Sequence, residues 1–466
     1  MNNSLSLDRP RVLIAAYIIF LIFMAFFISV VPPRIILGFV FAFIIFVVSF
    51  MNTEAALYLL IFSMLLSPEV GSRGTGGGGA TLRMDDFLLL IIGISWLVRM
   101  AIYKELGLIL KTKINRPIFY YIFVCFISTA LGILAGRVKL VTGVLFVIKY
   151  IEYFVVFFMV THLLHQKKQI KNFLIALFIT CIIVCLIAIA QIPSGERVTA
   201  PFEGSSGEPN TLGGYLVFML ALVVGLILHL KVTRYRIFLG GLAGLIILPL
   251  LYTLSRSSWI ALIPMYLTLI ITTHYRIFLV GMLILVVLLG PIFLPASVKE
   301  RINYTFQKKK IVEWQAQIGN VTLDTSSSAR LHDWKLAFKA FLKKPVLGYG
   351  ITGWHFIDSQ YVRTLVELGL VGLIVFLSMI YAILKETWLI YRQVTPPSEK
   401  GLAFGLFLGT IGLLTHSIGA NTFIIVRIME PFWFIVGMVI MLPLLEKKDK
   451  DQTMGTNQLQ GELTHA

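Results

Sequence analysis

The fold class this sequence predicts is all-α: a polytopic integral membrane protein with one large extracytoplasmic loop that contains amphipathic helix. Three observations predict it. The 466 residues are 58% hydrophobic and only 14% charged. The mean hydropathy is +0.88, so lipid must solvate much of the surface. Apolar runs of spanning length recur from end to end, with Pro and Gly at the joins, as in Pro32-Pro33, Pro68 and Pro396-Pro397.

A helix needs about 20 residues to cross the hydrocarbon. On that ruler, spans fall near 12–31, 35–51, 54–67, 86–103, 118–135, 142–161, 172–192, 211–230, 237–254, 257–273, 277–294, 359–384, 401–418 and 424–444. The runs at 35–51 and 54–67 are short and read as a tilted or re-entrant pair, so the expected count is about 12–14 helices. The first run follows Arg9 and Arg11 like a signal peptide, but Pro32-Pro33 succeeds it instead of a small-residue cleavage site, and it reads as a retained span. Cys125, Cys181 and Cys185 lie inside apolar runs without metal-site partners and read as packing residues.

The chain therefore divides into transmembrane helices over 1–294, a polar loop at 295–356, further transmembrane helices over 357–446 and a tail at 447–466. Short connections set the orientation. With the N-terminus inside, the inner loops collect Lys104, Lys111, Lys113, Arg116, Lys167, Lys168, Lys171, Lys231, Arg234, Arg236 and Arg276, while the outer ones hold few cations. That bias predicts both termini in the cytoplasm of a bacterial inner membrane and 295–356 outside. Long loops are exempt from the rule, so the ten Lys/Arg against four Asp/Glu in 295–356 need another reason.

The net charge of +17 has two parts. The inner cations face anionic membrane lipid. The outer ones point to an anion; nucleic acid is no partner for the outer face of a multi-span protein, whereas phosphate or pyrophosphate on a lipid suits guanidinium groups.

Three segments are candidates for the site. One runs from Arg197 to Asn210, which also reads as an ordinary Gly/Pro/Ser turn region. The second is Ser255-Arg256-Ser257-Ser258-Trp259, where Arg256 is either a partnered interfacial charge or a snorkelling one. The third is in the loop. Leu331, Trp334, Phe338, Phe341 and Leu342 recur at helical spacing, with Arg330, Lys335, Lys339, Lys343 and Lys344 largely on other faces, which suits a helix lying on the membrane surface. Pro345 stops it, and Gly348-Tyr349-Gly350 with Gly353 make an irregular link. Inside the spans, Lys149 with Glu152, Arg363 with Glu367 and Arg427 with Glu430 stand at helical spacing. Each pair either neutralises itself or lines a polar cavity.

These residues resemble a known family. Pro209-Asn210-Thr211-Leu212-Gly213-Gly214-Tyr215, then Ser255-Arg256-Ser257-Ser258-Trp259, then Ala329-Arg330 with Trp334 and Pro345-Val346-Leu347-Gly348-Tyr349-Gly350, then Asp358-Ser359-Gln360-Tyr361 with Glu367-Leu368-Gly369 follow the order seen in the O-antigen ligase/polymerase superfamily, which includes the Wzy-type polymerases. Leu82-Arg83-Met84-Asp85-Asp86-Phe87 is similar to a start-of-span pattern of exopolysaccharide polymerases. The resemblance extends over about 80–445. There is one departure. O-antigen ligases carry His eleven positions before the first Gly of the last motif, where this chain has Asp358; His355 is out of register. Asp there is similar to many polymerase-like members.

The resemblance implies a polyprenyl-pyrophosphate-linked glycan donor, a glycan or lipid A core acceptor, and a flippase and chain-length regulator as partners. It implies catalytic roles for Asp358, Arg256 and Arg330, with Arg197, Asn210, Tyr361, Arg363 and Glu367 binding substrate. Fixed guanidinium groups can stabilise the leaving charge, and a carboxylate at a partly dry interface can take the hydroxyl proton. No metal motif is seen on the outer face, so a metal-independent reaction without cofactor is expected. A flippase or exporter of lipid-linked sugar would use the same cations without a base, and an assembly protein would need neither.

Overall fold

The structure is a computed structural model that describes residues 32–70, 82–103, 110–203, 207–307, 315–318 and 321–464, with side chains as far as 448. The expected span at 12–31 lies outside the described residues. Each later expected span coincides with a helix. They are α1 (Pro33–Met51), α2 (Thr53–Leu66), α3 (Met84–Tyr103), α4 (Asn115–Leu134), α5 (Leu140–Leu163), α6 (Lys167–Gln191), α7 (Pro209–His229), α8 (Thr233–Tyr252), α9 (Arg256–Thr272) and α10 (Arg276–Phe293). After the polar segment come α13 (Gln360–Gln393), α14 (Pro397–His416) and α15 (Val426–Thr464). Among the described residues, nine helices are long and apolar enough to cross a membrane, so the chain is an all-α polytopic membrane protein.

The short pair is two separate helices. Asn52 ends α1, and its side chain accepts from Ala55 N at 3.0 Å to cap α2. A strand pair, β1 (Glu69–Val70) and β2 (Leu82–Arg83), then leads into α3.

The core lies around α7 and α15, whose apolar windows are 83% buried. Both are hydrophobic all round because neighbouring helices, not lipid, surround them. Helices α7 and α14 cross so closely that a Cβ on Gly225 would stand 2.5 Å from Gly405 Cα; only paired glycines permit that approach. Trp433 of α15 packs edge-on against Phe154 and Phe157 of α5, at 4.8 and 5.7 Å between centroids. Helix α10 has no buried residue and is tied to α9 by the Tyr266 hydroxyl on Leu279 O at 2.8 Å. It is left to lipid on its other faces.

The polar segment folds as α11 (Ala296–Thr305), an antiparallel sheet of β3 (Phe306–Gln307), β5 (Val321–Leu323) and β4 (Gln317–Ile318) in that spatial order, and α12 (Thr325–Lys343). We call the end of the bundle that carries it the loop end. Lys113–Glu386 at 3.1 Å and Lys167–Glu399 at 3.3 Å mark the opposite end.

Helix α13 is broken at Gly369, which has φ +69. The break frees two carbonyls and two amides, and the link after Pro345 takes all four. Tyr349 N and Gly350 N donate to Val366 O and Glu367 O at 3.0 and 2.8 Å, while Leu370 N and Val371 N donate to Pro345 O and Val346 O at 2.8 and 3.2 Å. A side chain at Gly369 would collide with Val346 O, and one at Gly348 with Val366 O. The irregular link and the helix break are thus one device, the link supplying partners to backbone groups that the break frees.

Candidate active site

Two polar clusters occupy the loop end. The first begins where Ser255 caps α9 and its hydroxyl donates to Asn210 Oδ1 at 2.8 Å, drawing the starts of α7 and α9 together. Arg256 opens α9. It donates to both oxygens of Asp324, through Nη2 at 3.3 Å and through Nη1, and to Thr305 Oγ1 at 3.2 Å. Asp324 is fully buried and also accepts from Ser327 N at 2.9 Å as the N-cap of α12. One carboxylate therefore joins Arg256 to the start of the loop helix.

Helix α12 carries Arg330 toward α13. Its Nη2 lies 3.3 Å from Asp358 Oδ2, and Trp334 Nε1 donates to the Asp358 carbonyl at 3.3 Å. The Asp358 side chain is 34% exposed, so the carboxylate is reachable while its backbone is held. Behind it, Asn421 Nδ2 donates to Ile357 O at 2.8 Å, Gln360 N donates to Ser417 O at 3.0 Å, and Phe423 N donates to Gln360 Oε1 at 3.1 Å. His355 is exposed and rests on the Trp354 ring.

Arg197 donates through Nε to Thr253 O at 3.0 Å and through Nη2 to Leu254 O at 3.4 Å. Leu254 has φ +50, a strained conformation for a leucine that turns the chain from α8 into α9. Burial, Arg301 and Arg330 together lower the Arg197 guanidinium to about 10, which still leaves it charged at neutral pH. Arg301 of α11 thus joins the cluster, and its buried Nε has no hydrogen-bond partner among the described residues. Sequence reasoning missed it, because it stands among ten loop cations with no motif around it.

Arg363 and Glu367 pair on α13 through Nε and Oε1 at 3.1 Å, both nearly buried, and Glu367 Oε1 also accepts from Thr352 N at 3.0 Å. Arg363 lies over the Phe356 and Phe146 rings at 5.3 and 5.8 Å. The pair thus locks the link to the first turns of α13. The Tyr361 hydroxyl donates to Leu414 O at 2.6 Å and anchors α13 to α14, so its polar tip is turned away from Asp358.

The second cluster lies between α3, α5 and α15. Arg83 donates to Asp85 through Nε at 3.1 Å and Nη2 at 2.6 Å, Lys149 pairs with Asp86, and Lys149 is 3.5 Å from Glu152. The expected Arg427–Glu430 pair does not form. Arg427 instead donates to Pro201 O at 2.7 Å and Ser67 O at 3.2 Å and lies 3.6 Å from Glu203. Both Glu430 oxygens are buried without a hydrogen bond. Helical spacing brings two side chains within reach, but Arg427 is turned to the carbonyls of Ser67 and Pro201 and to Glu203, which offer several acceptors to its fork of donors.

The two clusters differ in chemistry. Around Asp358, arginines outnumber carboxylates, an arrangement that can hold an anion while a carboxylate waits beside it. A cleft at the opposite end, lined by Lys111, Lys113, Glu386 and Arg392, contains none of the motif residues.

No curated protein matches the chain. The family model described as O-Antigen ligase matches residues 241–377. That region contains Arg256, Arg301, Arg330, Asp358, Tyr361, Arg363 and Glu367, whereas Arg197 and Asn210 lie before it. On this match residues 241–377, less than a third of the chain, are similar to the family described as O-Antigen ligase.

Proposed function

We propose that this protein is a Wzy-type polymerase, a membrane glycosyltransferase that joins glycan from a polyprenyl-pyrophosphate donor to a sugar acceptor. The observation that carries the reading is the contact between Arg330 and Asp358, which puts a guanidinium and a reachable carboxylate side by side among further arginines. In the reaction, the acceptor hydroxyl oxygen attacks the anomeric carbon of the donor. The bond from that carbon to the pyrophosphate oxygen breaks, polyprenyl pyrophosphate leaves, and the hydroxyl proton passes to Asp358. Arg330, Arg301 and Arg197 hold the pyrophosphate charge. Arg256 adds charge through its place beside them and fixes α12 through Asp324. No metal or cofactor takes part in this scheme.

A second reading is supported by the description of the matched family: a ligase that transfers the glycan once, to lipid A core or another acceptor. Asp358, where ligase relatives carry His, favours the polymerase. Purified protein incubated with polyprenyl-pyrophosphate oligosaccharide decides between them. A ladder of products on a gel means polymerase and a single capped product means ligase. Absence of both, with the lipid translocated across the bilayer, would leave a flippase instead.

The same proposal places the loop end outside the bacterial inner membrane, with both termini in the cytoplasm. A Cys at Gln317 should react with an impermeant thiol reagent in intact cells, and a Cys at Gly455 should not. The reverse pattern would put the arginine cluster on the wrong side for this chemistry. A flippase and a chain-length regulator are the partners that a polymerase of this kind requires.

A further inference from the structure

Three polar atoms around the start of α13 are buried and have no hydrogen-bond partner among the described residues. They are His416 Nε2, Asn421 Oδ1 and Arg330 Nε. His416 is fully buried and Asn421 is 5% exposed. Their other atoms are fixed. His416 Nδ1 is 2.7 Å from Thr422 Oγ1, Asn421 Nδ2 donates to Ile357 O, and Arg330 Nη2 holds Asp358. Each side chain is thus aimed by one hydrogen bond and left open at another. They flank one short stretch of chain. A Cβ built on Gly419, which lies between His416 and Asn421, would stand 3.9 Å from Arg330 Nη1. Gly419 N in turn donates to His416 O at 3.2 Å.

The three differ in polarity. Arg330 Nε is a donor, Asn421 Oδ1 is an acceptor, and His416 Nε2 is either, according to tautomer. Neighbouring hydroxyls satisfy such a set, because each hydroxyl both donates and accepts. A phosphate does not, since it would leave the Asn421 oxygen facing an anion. The arginines, Arg330 included through its Nη atoms, suit the pyrophosphate, and the polar set behind Asp358 suits neutral sugar. Leaving buried polar atoms unpaired is costly, so hydroxyls that pair with all three would bind favourably.

We propose that His416, Asn421 and Arg330 Nε form the subsite for the hydroxyls of the acceptor sugar, presenting one of them to Asp358. His416 and Asn421 are positioning residues in this scheme. The proposal rests on the glycosyl-transfer reading, and its test separates the two.

Full-length protein in lipid nanodiscs is given polyprenyl-pyrophosphate oligosaccharide as donor and the free oligosaccharide of the same repeat as acceptor. His416→Phe removes the ring nitrogens. It should raise the acceptor KM by about tenfold or more, the scale of one hydrogen bond of about 1.4 kcal/mol. His416→Gln, which can still hydrogen-bond, should recover most of that. Gly214→Ala leaves the imidazole chemistry intact but places a Cβ 3.1 Å from its Cε1 and 2.6 Å from Ile428 Cδ1, so it should raise the acceptor KM as well. Donor affinity and slow release of polyprenyl pyrophosphate without acceptor should stay within about twofold. An unchanged acceptor KM in His416→Phe means that the atoms hold water only and overturns the subsite. A parallel fall in donor affinity and melting temperature means a structural histidine and overturns it too. Where wild-type protein releases no polyprenyl pyrophosphate, the glycosyl-transfer reading has failed. The subsite is then judged by titrating the free oligosaccharide against tryptophan fluorescence. Binding lost in His416→Phe supports it, and binding absent in wild type or unaltered in the variant overturns it.

Discussion

The arginine cluster around Asp358 and the carboxylate cluster around Glu430 lie at the same end of the bundle, and both are largely buried. Their balance is opposite. Arg197, Arg256, Arg301 and Arg330 converge with two carboxylates, Asp324 and Asp358. In the other cluster, Arg83, Lys149 and Arg427 meet Asp85, Asp86, Glu152, Glu203 and Glu430. The second cluster spends its cations on its own carboxylates, and Arg83 grips Asp85 with two hydrogen bonds. The first leaves charge and exposure unspent, since Asp358 is a third exposed and Arg301 Nε has no hydrogen-bond partner among the described residues. Buried ions that close on themselves hold helices together; an excess of one sign beside a reachable group of the other sign is what a ligand of that chemistry requires.

The comparison breaks first at Asp358. Asp358→Asn keeps the shape and removes the basic oxygen, so turnover should fall by about 10²–10⁴-fold, the usual range for general-base catalysis, with donor binding little changed. Asp358→His should keep part of the activity, because imidazole also accepts a proton. His355→Ala should matter far less, since that ring is exposed against Trp354. Steady-state rates on the lipid-linked oligosaccharide check all three. Normal polymerisation by Asp358→Asn together with a dead His355→Ala would move the base to His355.

The next largest effect belongs to the closed cluster, and it is one of stability. Asp85 is fully buried against Arg83. Asp85→Asn leaves that guanidinium without its counter-charge and should destabilise the protein by about 3–5 kcal/mol. Thermal unfolding in detergent measures it. A variant as stable as wild type, yet inactive, would show that this cluster also serves the reaction.

Arg256→Lys and Arg330→Lys come third. Lysine keeps the charge but loses the planar fork. Charge-assisted hydrogen bonds are worth about 1.5–3 kcal/mol, so each variant should lose about 10- to 100-fold in activity at normal protein levels. In Arg256→Lys the loss should come with a looser α12, because Asp324 binds the arginine with both oxygens, and limited proteolysis within 295–356 reads that. Full activity in both lysine variants would reduce these arginines to interfacial anchors.

Much of this was legible in the sequence, and the failures share a cause. Helix positions follow from unbroken apolar runs, a local property, so each expected span after the first found its helix. Asp358 and Arg256 announced themselves as charges at span boundaries, and Arg330 as a cation of the amphipathic loop helix. The partners did not. Asp324 looked like one of four loop acids, yet it binds Arg256 across 68 residues of chain. Arg427 had an obvious partner at helical spacing and took carbonyls from Ser67 and Pro201 instead. The break at Gly369 was hidden because the residues that satisfy it, Pro345 to Gly350, lie in another segment. His416 read as one more residue in an apolar span. Local pattern fixes where a charge sits along a helix, while tertiary packing decides what it faces.

The smallest expected effect is the most pointed test of the difference between the clusters. Glu430 is the one member of the carboxylate cluster with both oxygens buried and unpaired among the described residues. A group that makes no hydrogen bond gains little from its charge, and its neighbours Asp85, Asp86 and Glu152, of the same sign, outnumber Arg83. Glu430→Gln keeps the volume, so the surrounding packing is undisturbed. The amide should leave stability unchanged or raise it by about 1 kcal/mol, and activity should stay within about twofold, because nothing that faces Asp358 has moved. Thermal unfolding and product ladders run side by side on the same preparation measure both. A stable protein that no longer extends glycan would mean that Glu430 faces a substrate or a proton in use, and that the closed cluster is a working part of the site.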